Sequence, residues 1–173
     1  MRTKHVVVVG WNPNWKAEFK KIVESLGEEI GNKAVAIEHV GSTSVEGLSS
    51  KPCIDIDVVI EDYSHFDEMK SLLAKKGYVH EGDLGIPGRE AFAYETETKP
   101  ELTLHHLYVC PKDSEELKRH KTFIKYLREH PEAVAKYSRV KEEGARLYPY
   151  DIDRYLEHKT PFILSIYKKC GLI

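Results

Sequence analysis

Within Cys53–Ile60 the chain alternates, with Ile54, Ile56, Val58 and Ile60 at one parity and Asp55 and Asp57 at the other. Successive side chains of a strand point to opposite faces. The run therefore predicts a strand with four branched apolar residues on one face and two carboxylates on the other. Such a strand needs a neighbour to pair with and a layer to cover its apolar face. Ala34–Val40 supplies the neighbour, with Val35, Ile37 and His39 alternating against Ala36 and Glu38. The expectation is a mixed sheet with these two strands adjacent and their apolar faces covered by helices. A chain of 173 residues that is 41% hydrophobic can bury one sizeable core of this kind.

The flanking sequence predicts those helices. Pro13 sits at the start of an apolar stripe with helical spacing, Trp15, Phe19, Ile22, Val23, Leu26 and Ile30, which Gly31 should stop. Ser64 is placed to cap a second helix through Phe66, Met69, Leu72 and Leu73, closed by Gly77. Tyr78–His80, Ala91–Glu95 and Leu102–Val109 read as short strands, separated by a loop carrying Gly82, Gly85, Pro87 and Gly88. Beyond them the pattern turns helical. Asp113 or Ser114 caps one helix, Pro131 opens another, and Asp151 opens a last region that Pro161 should divide, with Thr160 capping the terminal piece. The organisation predicted is an α/β (α+β) core over residues 1–112 and a helical C-terminal third, residues 113–173, packed on it as one compact unit.

Charge and cysteine usage narrow the function classes. Lysine plus arginine number 26 and aspartate plus glutamate 28, a net charge of -2, so no basic excess marks a general nucleic-acid binder. Cys53, Cys110 and Cys170 are odd in number and widely spaced, without zinc-site or redox spacing. That argues against a disulfide framework and for a reducing cytoplasm. The apolar run Val6–Val9 is too short for a signal-peptide core or a membrane span, and reads as an edge strand or lead-in.

Two carboxylates spaced i, i+2 on a strand lie about 7 Å apart along it and can converge on a hard cation. Mg²⁺ typically takes one or two carboxylates and completes its shell with water and phosphate oxygens. It then screens phosphate charge during in-line displacement. By itself Asp-Ile-Asp fits a solvated strand face better. What precedes it changes the balance: Gly41-Ser42 follows a strand, with twelve residues between Ser42 and Asp55. A Gly-Ser turn can offer backbone N–H groups and a hydroxyl to a phosphate. A P-loop does not fit, because five residues separate Gly41 from Gly47 and Leu48 stands where lysine should follow. Arg89, after a Pro-Gly turn, can reach a phosphate as a charged fork, and Lys51 can neutralise a triphosphate. Each also reads as an ordinary surface charge. His39 is placed to support the Gly41 turn by a hydrogen bond. His80, His120, His130 and His158 read as surface or helix-end residues.

The stretch His39-Val-Gly-Ser-Thr-Ser-Val-Glu-Gly-Leu-Ser-Ser-Lys-Pro-Cys-Ile-Asp-Ile-Asp57 resembles the signature of the GrpB family. That family is similar to the nucleotidyltransferase superfamily, whose pattern is Gly-Ser or Gly-Gly followed by Asp-x-Asp on the next strand. The likeness continues in Trp11–Trp15, Gly85–Arg89, His105–Val109, His130–Glu132 and Tyr155–Lys159. It implies a nucleotidyltransferase-like mixed β-sheet with flanking helices. It also implies a site in which Asp55, Asp57 and His106 hold a divalent metal, Mg²⁺ or Mn²⁺. Gly41, Ser42, Lys51 and Arg89 would hold a nucleoside triphosphate, with Lys159 added by resemblance alone. One departure stands out: the family's His-x-His strand is His106-Leu107-Tyr108 here, so a tyrosine replaces the second histidine.

Three functions follow as expectations. The first is metal-dependent transfer of a nucleotidyl or phosphoryl group from a nucleoside triphosphate to an unknown small acceptor, with His106 as third ligand or proton acceptor. The second is a catalytically inactive nucleotide- or metabolite-binding module of the same fold. The third is a protein-interaction domain using Ser114–Ile173. If the two aspartates carry a metal, their mutual repulsion without it should raise at least one carboxyl pKa.

Overall fold

The computed structural model describes residues 3–173. The alternating run forms β2 (Ile54–Ile60), and its neighbour is β1 (Ala36–Val40), antiparallel, with Val40 opposite Asp55 and Glu38 opposite Asp57. On the other side β2 runs parallel to β5 (His105–Pro111), placing His106 opposite Asp55 and Tyr108 opposite Asp57. β4 (Glu90–Ala93) and β3 (Val79–Gly82) complete a five-stranded mixed sheet in the order β1-β2-β5-β4-β3. The last three strands are thus displaced by one to three residues from their expected bounds.

The two parities of β2 meet different surroundings. Ile54, Ile56, Val58 and Ile60 join Leu107 and Val109 of β5 in one core with α1 (Trp15–Leu26), α2 (Glu28–Lys33) and α3 (Phe66–Lys75). The expected single helix over the first stripe is two helices. Gly27 breaks it at φ +88, a left-handed conformation that glycine enters at little cost. Ile30 nevertheless reaches the same core from α2, because the stripe continues after the break. Asp62, not Ser64, makes the capping contact before α3, accepting from the Ser64 backbone N–H.

The acidic face is covered by the C-terminal helices. α4 (Glu115–Glu129) is capped by Ser114, whose Oγ accepts from Leu117 N. α5 (Pro131–Leu147) begins on its proline, as expected. α6 (Ile152–Lys169) runs unbroken through Pro161, so the expected division there is not found. Thr160 does not cap a second helix. Its hydroxyl donates back to the Leu156 carbonyl, and Pro161 lies on the exposed side of the helix. A second core joins these helices to the strand–turn segment: Val40, Val45 and Leu48 pack with Ile124, Leu127, Val134, Tyr137 and Phe162. The Val6–Val9 segment contributes a bridge from Val9 to Ser50 rather than a full strand. Among the described residues, no helix is long and apolar enough to cross a membrane.

Candidate active site on the acidic face of the sheet

The turn after β1 and the first carboxylate of β2 occupy one point. Gly41 has φ +72, and a Cβ added there would collide with Asp55 Oδ2 and come within 3.0 Å of Asp55 Cβ and Cγ. Only glycine satisfies both the backbone and this approach. The turn behind it is a 3-10 turn over Ser42–Ser44, closed by Ser44 Oγ donating to the Gly41 carbonyl at 2.6 Å and by Arg128 donating to the Ser44 carbonyl at 2.8 Å. His39 supports it as expected, with Nε2 2.8 Å from Thr43 Oγ1 and its ring stacked on Phe19. Burial pushes the His39 pKa down to about 4, so the ring is neutral.

Asp55 and Asp57 share a face, but each meets a histidine. His106 Nδ1 donates to Asp55 Oδ1 at 3.0 Å. His120, on α4, donates from Nδ1 to Asp57 Oδ2 at 2.8 Å and faces Glu116 Oε1 with Nε2 at 3.2 Å. An imidazole with a carboxylate at each nitrogen carries both protons. Burial alone would lower the His120 pKa, but Asp57 and Glu116 lift it to about 9. His106 behaves alike: burial opposes its charge, yet Asp55 and Cys53 lift it to about 10. Burial pushes the Asp55 pKa up, and the bond and charge of His106 outweigh this and hold it below the usual carboxylate range. The expected upward shift from repulsion between the aspartates is therefore not found at Asp55, because an imidazolium stands beside it. In this arrangement His106 offers Asp55 a proton rather than offering a cation a lone pair.

A cavity of about 840 Å³ opens over this face. Its wall brings together Gly41, Lys51, Asp55, Arg89, His106 and Lys159, residues that span most of the chain. It does not include Ser42 or Asp57. Ser42 lies beside the Tyr137 phenol on α5. Asp57 is 1% exposed, and its Oδ1 is buried with no hydrogen-bond partner among the described residues. The cations are arranged in two groups. Lys159 and Lys51 share the Tyr155 ring, with Nζ at 4.9 and 6.0 Å from its centroid. Burial and then Lys51 repulsion lower the Lys159 pKa to about 8. Arg89 rests on a different ring, its guanidinium 4.2 Å from the Tyr108 ring centroid.

Sequence reasoning missed His120 and Glu116, which both line the cavity. Their i, i+4 spacing on α4 was a signal for a shared helix face. Nothing local indicated that this face would lie over Asp57. Lys141 was also missed. It is 2% exposed on α5, and burial first, then Lys159, hold its pKa well below the ordinary lysine value.

Comparison with known proteins follows the same residues. The family model described as GrpB protein matches residues 5–169. The crystal structure of conserved protein GrpB from Enterococcus faecalis overlays with a TM-score of 0.81 at 30% identity, covering 95% of this chain and 96% of that one. The glutamate-rich protein GrpB of Alkalihalophilus pseudofirmus is 31% identical over 162 residues, 93% of each chain. UPF0157 protein YqkA of Bacillus subtilis is 31% identical over 163 residues, but this chain spans only 46% of its length. With nearly its whole described length matched in sequence and in fold, the chain belongs to the GrpB family.

Proposed function

We propose that this protein transfers a nucleotidyl or related phosphoryl group from a nucleoside triphosphate to a small acceptor, assisted by a divalent metal. The observation that carries this reading is the seat of Gly41 on Asp55 inside a cavity walled by Lys51 and Lys159. A glycine turn, a carboxylate and two ammonium groups at one point are what a bound polyphosphate requires. Gly41 is the part of the turn that lines the cavity, and it brings backbone to the wall with no side chain of its own. Lys51 and Lys159 repel one another, and an anion between them removes that repulsion.

The residues fit a hard cation in donor chemistry, although no cluster of three or more metal-binding side chains stands preassembled among the described residues. The orphaned Oδ1 of Asp57 is an acceptor lacking a donor, which is costly for a buried carboxylate unless a cation or proton reaches it. Asp55 and Asp57 would hold the metal with phosphate oxygens completing its shell, and it would supply neutralisation of phosphate charge. His106 holds Asp55 ionised, and His120 bonds Asp57 and tethers β2 to α4. A second reading, a nucleotide- or metabolite-binding module without turnover, draws on the burial of Asp57 and on both carboxylates already having imidazolium partners.

The test is calorimetric titration of Mn²⁺ together with a nucleoside triphosphate into the parent protein and into Asp55→Asn at fixed ionic strength. The expected outcome is metal-dependent binding in the parent that weakens at least tenfold in the variant, the cost of removing a charged ligand being above about 1.4 kcal/mol. Equal affinity in the two proteins would remove Asp55 from the site.

A further inference from the structure

The cations on the cavity wall rest on different rings, Lys51 and Lys159 on Tyr155 and Arg89 on Tyr108. Lys51 precedes β2, four residues before Asp55, and shares the Tyr155 ring with Lys159. Arg89 immediately precedes β4, whose Glu90 pairs with Val109 of β5. Its guanidinium sits over Tyr108, two residues past His106 and so ~7 Å farther along the strand. Along the parallel strands the Asp55–His106 pair comes after Lys51 and before the Asp57–Tyr108 row on which Arg89 rests.

Arg89 is also held in place before any ligand arrives. The carbonyl of Gly88 accepts from Ser114 Oγ at 2.8 Å, and Ser114 is 5% exposed at the N-terminus of α4. Gly85 N–H donates to Asp83 Oδ1, and Arg89 N–H donates to the Ile86 carbonyl, so the turn leading into Arg89 is internally bonded. The guanidinium lies on an aromatic face, an arrangement that fixes its plane. Yet its Nε is buried with no hydrogen-bond partner among the described residues. A planar charged fork on the cavity wall, with only the Glu116 charge near it there, matches an oxyanion.

We propose that the Arg89 end of the cavity is a second anion-binding position, distinct from the lysine end, and that it holds a phosphate or carboxylate carried by the acceptor. This rests on the reading that the lysine end holds the triphosphate. It narrows the acceptor to a small anionic molecule, oriented by its charged end at Arg89 so that its nucleophile lies toward Asp55. A cavity of about 840 Å³ lies in the upper part of the range of about 300–1,000 Å³ usual for ligand pockets.

The experiment saturates the protein with a non-hydrolysable nucleoside triphosphate analogue and Mg²⁺, then titrates inorganic phosphate and, separately, acetate by calorimetry. At least one probe is expected to bind the loaded protein, and which one distinguishes a phosphate-bearing from a carboxylate-bearing acceptor. Arg89→Gln should weaken that probe tenfold or more. Arg89→Lys, which keeps the charge and loses the fork, should fall between and guards against a folding defect. Lys159→Met should weaken the analogue and leave the probe unchanged. The proposal is overturned if neither probe binds the loaded protein, or if Arg89→Gln leaves probe affinity unaltered. Failure of the analogue to bind would instead sink the triphosphate reading, and the dependence of the probes on Arg89 in the free protein would then be read directly.

Discussion

Asp55 and Asp57 illustrate how one residue type on one strand face acquires two environments. Asp55 lies at the cavity under a glycine, while Asp57 is sealed beneath α4 by His120. The histidines around them set opposite pH limits on stability. His39 has its pKa pushed down to about 4 by burial, so its neutral form is favoured in the folded state. Its contribution is complete above the unfolded value near 6.5 and is lost as pH falls from there toward 4. His106 and His120 have theirs raised to about 10 and about 9, mainly by their carboxylate partners acting against burial. Their contribution is complete below about 6.5 and declines as pH rises through 9 to 10. The protein is therefore expected to be most stable near pH 6 to 7, with Tm falling on both sides. His39→Gln should flatten the acid limb, worth on the order of 2 kcal/mol for a partly exposed ring, and leave the alkaline limb in place. Thermal unfolding of both proteins from pH 4 to 10 checks this, and an unchanged acid limb would show that other groups produce it.

At the scale of elements, α6 is the informative one. It carries Lys159 and Ile163 to the cavity from either side of Pro161. A proline in a helix interior removes one N–H donor and crowds the preceding turn, at a cost of about 3 kcal/mol in an unsupported helix. The helix persists because Tyr155, Phe162 and Ile166 are buried, which anchors it on both sides of the proline. Pro161→Ala is thus expected to raise stability by about 1–2 kcal/mol, less than the full helix cost because alanine also frees the unfolded chain. A urea midpoint that moves down would mean that the proline shapes α6 for its contacts. The same element shows why sequence reading divided it: Thr160-Pro161 has the form of a helix start, and only the burial on either side overrules it.

For the whole molecule, the second core is what joins the helical third to the strand–turn segment. Phe162 of α6 stacks on Tyr137 of α5 at 4.7 Å between ring centroids, in the cluster that includes Val40 and Leu48 from the strand–turn segment. Gly144 and Tyr155 bring the same two helices close, since a Cβ at Gly144 would lie 3.0 Å from Tyr155 and His158 ring carbons. Phe162→Ala should cost about 3–5 kcal/mol. If residues 113–173 pack on the sheet as one cooperative unit, near-ultraviolet and far-ultraviolet signals will still be lost in a single transition at a lower Tm. Two separated transitions would show that the helical third melts by itself.

Much of this was legible in local patterns. The alternation of Ile54 to Ile60 determined β2, its core face and the shared face of Asp55 and Asp57, because strand geometry has a period of two and needs no knowledge of partners. The Gly41 turn and the proline at the start of α5 were readable for the same reason: backbone conformation is set within a few residues. The break at Gly27 was misplaced by four residues, since the stripe resumes on the far side and periodicity alone cannot tell a bend from a continuation. What lay beyond the sequence was which helix face covers which strand face. His120 lies 63 residues from Asp57 and Lys159 further still, and their meeting depends on the packing of α4 and α6 over the sheet. That packing minimises exposed apolar area summed over the whole chain, so no short window of sequence contains it. The tertiary structure alone decided that one aspartate faces the cavity and the other is buried, and that Lys51 and Lys159 meet at Tyr155 while Arg89 rests on Tyr108.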